Sequence, residues 1–158
     1  QGHFGATRTS PTRLWAILDR YAELGLPIKV TEFDVNLDDP QALADYTRDF
    51  TTAVFAHPSV DGLLTWGFWA GAHWKPQAAH LTPDFTSRPH DLVLQDLLFN
   101  RWWTNEVVTT DASGEAKLRA FKGDYAIDVE ALNHTTELPL VKSLMNDQTI
   151  SVTLKRND

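Results

Sequence analysis

Apolar residues in the first hundred positions alternate between strand-like and helix-like spacing. Runs rich in β-branched and aromatic residues at 28–36 and 60–68 have the composition of buried strands. Apolar residues recurring every three to four positions predict helices over 10–25, 39–57 and 89–100. The predicted apolar stripes are Leu14, Ile17, Leu18, Tyr21 and Leu24; Leu43, Tyr46, Phe50 and Val54; and Leu92, Leu94, Leu97 and Leu98.

The boundaries of the first two helices carry capping signals. Ser10 and Asp39 each precede a proline, which is the arrangement of an N-cap followed by Pro at the first helical position. Gly25 supplies a left-handed cap at the end of the first helix. Because residues 1–5 read as the end of a strand, strands and helices alternate strictly up to residue 100. This order predicts an α/β fold with a parallel sheet covered by helices.

The pattern changes near residue 104. Turn signals occur at Ser113-Gly114 and Gly123-Asp124. Short alternating segments at 116–120, 125–129 and 149–154 predict a small β-rich appendage of three or four strands. We therefore divide the chain into an α/β domain, residues 1–103, and a C-terminal β appendage, residues 104–158.

Composition narrows the possible functions. The chain has 158 residues and a net charge of -7, which argues against a surface that tracks nucleic-acid phosphates. It has no cysteine, so disulfides and thiolate zinc sites are excluded. No apolar run reaches the ~20 residues that a membrane-spanning helix needs. The histidines lack ligand spacing, so we predict neither a metal nor a cofactor, and the sequon at Asn133 is best read as chance.

The candidate chemistry lies on the strand at 28–36. Side chains alternate along a strand, so Val30, Glu32 and Asp34 share one face. Three readings are open: solvated acids at a strand end, a pair that binds a divalent metal, or carboxylates that act in catalysis. Parallel side chains two residues apart approach a bond from the same side. One of them can therefore act as a nucleophile supported by the other, while a proton donor must come from elsewhere.

Three segments together resemble glycoside hydrolase family 10, the endo-1,4-β-xylanases with a TIM (β/α)8 barrel. They are the run LPIKVTEFDV at 26–35, Gln1-Gly2-His3, and Thr65-Trp66-Gly67-Phe68 followed by Trp74. The resemblance covers residues 1–100 and implies the C-terminal part of the barrel, from the tip of strand 6 through helix 8.

The resemblance also implies a role for each matching residue. Glu32 is expected to be the catalytic nucleophile of a retaining glycosidase, while His3 and Asp34 support its orientation and charge. Gln1, Trp66 and Trp74 are expected to bind the substrate, xylan or a xylo-oligosaccharide. Trp69 fits either a binding or a packing role.

The acid/base glutamate of the family has no counterpart in this chain. We therefore expect a fragment that depends on a missing N-terminal barrel half and is inactive without it. The resemblance implies a secreted or periplasmic setting. The alternative is a non-catalytic carbohydrate-binding protein that uses its Trp-rich loop.

Overall fold

The computed structural model describes residues 1–132, 134–135 and 140–156, so Asn133 of the sequon lies outside the described residues. The chain divides into two compact units, Gln1–Arg101 and Trp102–Asp158. The regular elements of the first unit are β1 (Gly2–Phe4), α1 (Pro11–Ala22), β2 (Ile28–Val35), α2 (Pro40–Ala56), β3 (Val60–Thr65) and α3 (Pro89–Asp96). In the described part of the chain, no helix has the length and hydropathy of a membrane span.

The first unit is built on a parallel sheet in the order β1-β2-β3, as the alternation of elements predicts. Within the described residues this sheet has three strands and does not close into a barrel. His3 of β1 pairs with Asp34 of β2. At the end of β3, Trp66 N–H donates to the carbonyl of Phe33 at 2.8 Å. This register brings the carboxyl ends of all three strands to one edge.

The core of this unit lies between the sheet and helix α2. Phe33 and Val35 of β2 point into it, and Phe33 stacks on Phe50 at 4.3 Å between ring centroids, with 5° between the planes. The buried apolar residues of this core are Leu14, Leu18, Phe33, Val35, Leu43, Tyr46, Phe50, Ala53 and Val54. All four predicted apolar positions of α2 are buried, which confirms its stripe.

The N-caps of α1 and α2 match the sequence prediction. Ser10 Oγ accepts from the Arg13 N–H at 3.4 Å, and Asp39 Oδ1 accepts from Gln41 N–H at 2.9 Å and from Ala42 N–H at 3.2 Å. Gly25 has φ +68°, the left-handed conformation expected after a helix.

The stripes of α1 and α3 are wrong in part. Of the stripe predicted for α1, Leu14 and Leu18 are buried, whereas Ile17, Tyr21 and Leu24, which lies just beyond the helix, are exposed. On the third helix, Leu97 is buried, but Leu92 and Leu98 are exposed. The periodicity is genuine. The packing of the described residues nevertheless leaves the outer residues of these stripes exposed.

Two predicted boundaries also need correction. The strand predicted to Phe68 ends at Thr65 because Gly67, at φ +71°, turns the chain away from the sheet. The helix predicted over 89–100 ends at Asp96 and continues as a π-helical turn, Leu97–Arg101. In that turn the side chains of Asn100 and Arg101 both donate to the Asp96 carboxylate.

Two small antiparallel sheets are found among the described residues of the second unit. Their strands are β4 (Gly123–Ile127), β5 (Glu130–Ala131), β6 (His134–Thr135), β7 (Leu140–Leu144) and β8 (Lys155–Arg156). Strand β4 pairs with β7, and β6 lies between β5 and β8. The turn at Gly114 is confirmed, since its N–H donates to Asp111 O at 3.0 Å and its φ is +82°.

Other expectations for this unit are wrong. Residues 116–120 form no strand, because Leu118 is half exposed and no apolar face is buried there. Gly123 begins strand β4 instead of lying in a turn, and that strand ends at Ile127. Burial does alternate along 149–154, but this segment pairs with no strand among the described residues.

Candidate functional site

The predicted site residues meet where the parallel strands end. β1 supplies His3 and is preceded directly by Gln1, β2 supplies Glu32 and Asp34, and the loop after β3 supplies Trp66. Because His3 is in register with Asp34, its ring lies across the two acids that alternation places on one face of β2. The carboxyl ends of parallel strands are where active sites form in α/β proteins.

His3 bridges the two carboxylates. Its Nδ1 lies 2.9 Å from Asp34 Oδ1, and its Nε2 lies 3.1 Å from Glu32 Oε2. Carboxylates only accept hydrogen bonds, so a neutral imidazole can satisfy one of these contacts, whereas the imidazolium donates to both. The geometry therefore favours a positively charged His3 between two negative groups.

The two acids differ in access to solvent. The Asp34 side chain is 2% exposed, and its Oδ2 accepts a hydrogen bond from Trp74 Nε1 at 2.7 Å. The Glu32 side chain is 24% exposed, and its Oε1 accepts from Gln1 Nε2 at 3.0 Å. Glu32 is thus the acid that a ligand can reach. Asp34 is enclosed, with each oxygen already engaged.

The indole rings of Trp66 and Trp74 both lie next to His3. Their rings meet the imidazole edge-on, with centroid distances of 6.3 Å and 5.6 Å and interplanar angles of 82° and 78°. Trp66 is 46% exposed and Trp74 is 58% exposed, and Lys75 Nζ lies 5.1 Å from the centroid of the Trp74 ring. Exposed indole faces suit apolar contact with the flat face of a sugar ring.

His73 is a site residue that the sequence did not single out. It is buried, its Nδ1 accepts from Lys75 N–H at 2.9 Å, and its Nε2–H donates to Trp66 O at 2.6 Å. This side chain ties the two ends of the segment from Trp66 to Trp74. Its role depends on backbone groups of its own loop, and no ligand spacing in the sequence signals such contacts.

Gly67 offers a test of this loop. A Cβ built there would lie 2.4 Å from His73 Cδ2, and the backbone has φ +71°. Gly67→Ala should lower the free energy of unfolding by about 1–2 kcal/mol through the left-handed conformation and by at least about 1 kcal/mol more through the clash. Denaturant unfolding of the protein measures both contributions together.

The matched control is Gly25→Ala. Gly25 has nearly the same φ, +68°, with nothing within 4 Å of an added Cβ, so this variant carries the conformational cost alone. Equal losses in the two variants would contradict the packing of His73 against Gly67.

The pKa of His3 gives a second test. Burial opposes its protonated form and is the largest single influence. The hydrogen bonds and charges of Asp34 and Glu32 together outweigh burial and raise the pKa above the ordinary 6.5. The stabilising bridge is therefore complete below pH 6.5 and is lost as the pH rises through the raised pKa.

An NMR titration of the histidine ring resonances should place the His3 midpoint above 6.5. His90 serves as an internal reference, because burial and the nearby His80 and Arg88 charges lower its pKa to about 4. A His3 midpoint at or below 6.5 would contradict a bridge between two carboxylates.

The chemistry open to this arrangement is limited by what the described residues provide. Among the described residues, no group of three or more His, Asp or Glu side chains could hold a metal ion. Glu32 presents a reachable carboxylate whose charge His3 supports, which suits bond formation to an electrophilic carbon.

Comparison with known proteins identifies the family. The sequence model of glycosyl hydrolase family 10 matches residues 1–100. The chain belongs to glycosyl hydrolase family 10. This confirms the resemblance carried by the Gln1, Glu32 and Trp66 segments.

Two curated relatives of this family 10 chain show how much of each related protein it matches. It is 36% identical over 128 residues to "Anti-sigma-I factor RsgI6" of Acetivibrio thermocellus, a match covering 81% of the chain and 17% of that protein. It is 30% identical over 132 residues to "Endo-1,4-beta-xylanase 2" of Arabidopsis thaliana, covering 82% of the chain and 12% of that protein. The chain thus spans less than a fifth of either relative.

Solved xylanases share the fold. The structure of xylanase 10B from Thermotoga petrophila RKU-1 in complex with xylobiose matches with a TM-score of 0.59 and 22% identity, over 64% of this chain and 35% of the xylanase. Native xylanase 10B from Thermotoga maritima matches with a TM-score of 0.57 and 21% identity, over 64% and 36%. The matched portion of each enzyme is about a third of its chain.

Proposed function

We propose that this chain is the nucleophile-bearing part of a retaining endo-1,4-β-xylanase. The observation that carries the proposal is the linked set Glu32–His3–Asp34 at the ends of adjacent parallel strands. Membership of glycosyl hydrolase family 10 and the likeness to solved xylanases support the reaction class.

Glu32 is the nucleophile in this proposal. Its carboxylate is the accessible member of the pair, so it attacks the anomeric carbon and forms a covalent glycosyl-enzyme intermediate. Asp34 cannot take this role without giving up its bonds to His3 and Trp74. His3 steadies the Glu32 carboxylate before attack and stabilises it again when water releases the sugar.

The substrate we propose is xylan or a xylo-oligosaccharide. Trp66 and Trp74 would wall the sugar subsite next to Glu32, while Gln1 stands beside the nucleophile within reach of a sugar hydroxyl. The Thermotoga petrophila xylanase that shares this fold was solved in complex with xylobiose. That complex supports a xylose-based ligand for the present site.

The acid/base group comes from elsewhere in the proposed enzyme. A retaining glycosidase needs a second carboxyl group about 5–5.5 Å from the nucleophile on the other side of the bond. Asp34 shares the face of Glu32 and is enclosed, so it does not qualify. We assign the proton donor to an N-terminal barrel half, with this chain forming the tip of strand 6 through helix 8 and the 104–158 appendage following.

Exposed apolar side chains support completion by further elements. Ile17 and Tyr21 leave the outer side of α1 apolar, Leu24 is exposed just after this helix, and Leu92 is exposed on α3. In a (β/α)8 barrel each helix packs against its neighbours in the outer ring.

A second candidate is carbohydrate binding without turnover. The specific observation in its favour is that the 36% identical relative is named an anti-sigma factor and not a hydrolase. Trp66 and Trp74 could hold a glycan equally well in such a protein. A binding role gives no reason, however, for a charged His3 bridge behind an accessible Glu32.

The experiment that separates the candidates follows the first product of xylan hydrolysis by the complete protein. Proton NMR should show the β-anomer of the new reducing end before mutarotation, as retention requires. Initial release of the α-anomer would contradict the retaining mechanism. Binding of xylan with no new reducing ends would favour the second candidate.

A further inference from the structure

Phe85 has an unusual backbone for an aromatic residue. Its φ is +63°, and it is the sole non-glycine residue with positive φ among those described. For a bulky side chain this conformation is strained and persists when the surroundings enforce it, often at functional sites. The Thr82–Thr86 turn enforces it through bonds from Phe85 N–H to Thr82 O at 3.0 Å and from Thr82 N–H to Thr86 O at 2.9 Å.

The strained position holds the Phe85 ring flat against Trp69. The two rings are stacked with centroids 5.3 Å apart and planes 4° apart. The Trp69 indole is itself fixed, because its Nε1–H donates to Pro83 O at 3.1 Å. Gly71 leaves room for that indole, since a Cβ there would lie 2.3 Å from two of its ring carbons.

This stacked pair faces outward and has a polar border. The Phe85 side chain is 61% exposed although it is anchored at its base. Beside it, the Asp84 carboxylate accepts hydrogen bonds from the Thr82 and Thr86 hydroxyls. These hydrogen bonds lower the pKa of Asp84, so the carboxylate stays charged and can accept from a ligand hydroxyl. A rigid flat ring can contact the apolar face of a pyranose, and acceptors at its border can bind the hydroxyl groups of the same sugar.

The pair belongs to the same loop as the walls of the candidate site. Trp69 follows Trp66 by three residues, so their Cα atoms are at most about 11 Å apart. A bridge between Trp69 and Leu81, with Leu81 N–H donating to Phe68 O at 2.8 Å, ties the two halves of the loop together. These contacts therefore fix the position of the Phe85 ring relative to Trp66.

We propose that the Phe85–Trp69 pair is an additional sugar-binding platform, on which a xylose unit of a longer xylan chain lies against the outer face of Phe85. This inference rests on the proposed function, because the ligand is an extension of the chain held between Trp66 and Trp74. The platform adds affinity for long substrates and leaves the chemical step unchanged.

The test compares short and long ligands in the complete protein carrying Glu32→Gln, which prevents turnover. Isothermal titration gives the Kd of xylobiose and of xylohexaose for this background and for added Phe85 variants. Phe85→Ala should weaken xylohexaose binding about tenfold and leave xylobiose binding unchanged. Phe85→Tyr keeps the ring and should bind xylohexaose as tightly as the background.

Two further variants test whether the effect on xylohexaose binding is specific to the Phe85–Trp69 pair. Phe99→Ala removes another exposed phenylalanine, 65% exposed and outside this loop, and should change neither Kd. Gly71→Ala forces the Trp69 indole to move and should weaken xylohexaose binding in the same direction as Phe85→Ala.

The outcomes separate the two proposals. Tight xylohexaose binding that Phe85→Ala does not change, or equal weakening for both ligands, would overturn the platform while leaving the proposed function standing. A lower melting temperature with both Kd values unchanged would show that Phe85 packs against another part of the protein, which also overturns it. Failure of the Glu32→Gln background to bind either ligand would overturn the proposed function and the platform with it.

Discussion

Replacing Glu32 by Gln is expected to abolish xylan hydrolysis by the complete protein while sugar binding survives. Glutamine is isosteric, and its single oxygen can still accept from either Gln1 or His3, but it has no carboxylate to bond to the anomeric carbon. Loss of a catalytic nucleophile lowers kcat on the order of 10^4 to 10^6-fold. Initial rates on xylan, together with the Kd of xylobiose from titration calorimetry, measure the two effects separately.

The control for this substitution is Glu106→Gln, which removes one negative charge from an exposed position in the second unit. It should leave both quantities unchanged. Retention of more than about a tenth of the turnover by Glu32→Gln would contradict the assignment of the nucleophile. Sugar binding that survives the substitution cannot replace the nucleophile in the chemical step.

Asp34→Asn should give the second largest loss, although this side chain never touches substrate in the proposed mechanism. The Trp74 indole can only donate, so the single amide oxygen of Asn must face it at the position of Oδ2. The amide NH2 then faces His3 Nδ1 and converts that nitrogen into an acceptor. His3 becomes neutral, with its proton on Nε2, and the Glu32 carboxylate loses its positive partner.

We expect kcat to fall by up to about 10^4-fold, the loss that a wrong histidine tautomer causes in a catalytic triad, with a smaller change in KM. The NMR midpoint of His3 should drop in the same variant, a response that a mere loss of packing would not produce. Asp61→Asn, on the exposed side of β3, is the matched control. An unchanged His3 midpoint in Asp34→Asn would contradict the bridge.

The sequence predicted the acidic centre of the site because that centre depends on local rules. Alternation along β2 puts Glu32 and Asp34 on one face, and the alternation of elements brings β1 beside β2. Their contact with His3 follows from register, which the family pattern implied. The structure brings Glu32, Asp34, Trp66 and Trp74 next to His3, and Gln1 joins the group through its hydrogen bond to Glu32.

Features that depend on nonlocal or backbone contacts could not be predicted from the sequence. His73 acts through the Trp66 carbonyl and the Lys75 N–H, and no side-chain spacing encodes such bonds. The positive φ of Phe85 has no signal, because glycine or asparagine is the residue expected there. Strand pairing in the second unit was missed at β7 because a partner such as β4 is chosen across a distance in the chain.

The stripes of α1 and α3 were predicted with the right period but, in part, with the wrong burial. Periodicity tells which residues of α1 share a face, but burial depends on what packs there. Leu14 and Leu18 meet the core formed with α2, whereas Tyr21 and Leu24 extend beyond it.

The most direct test of the central claim is covalent trapping of the nucleophile. A 2-deoxy-2-fluoro-xylobioside with an activated leaving group needs no proton donor, and it forms a slowly hydrolysed glycosyl-enzyme if Glu32 attacks the anomeric carbon. Mass spectrometry of the complete protein should find one fluoro-xylobiosyl group, located by fragmentation on Glu32. A label on another carboxylate, or no label while the sugar is still bound, would contradict the account.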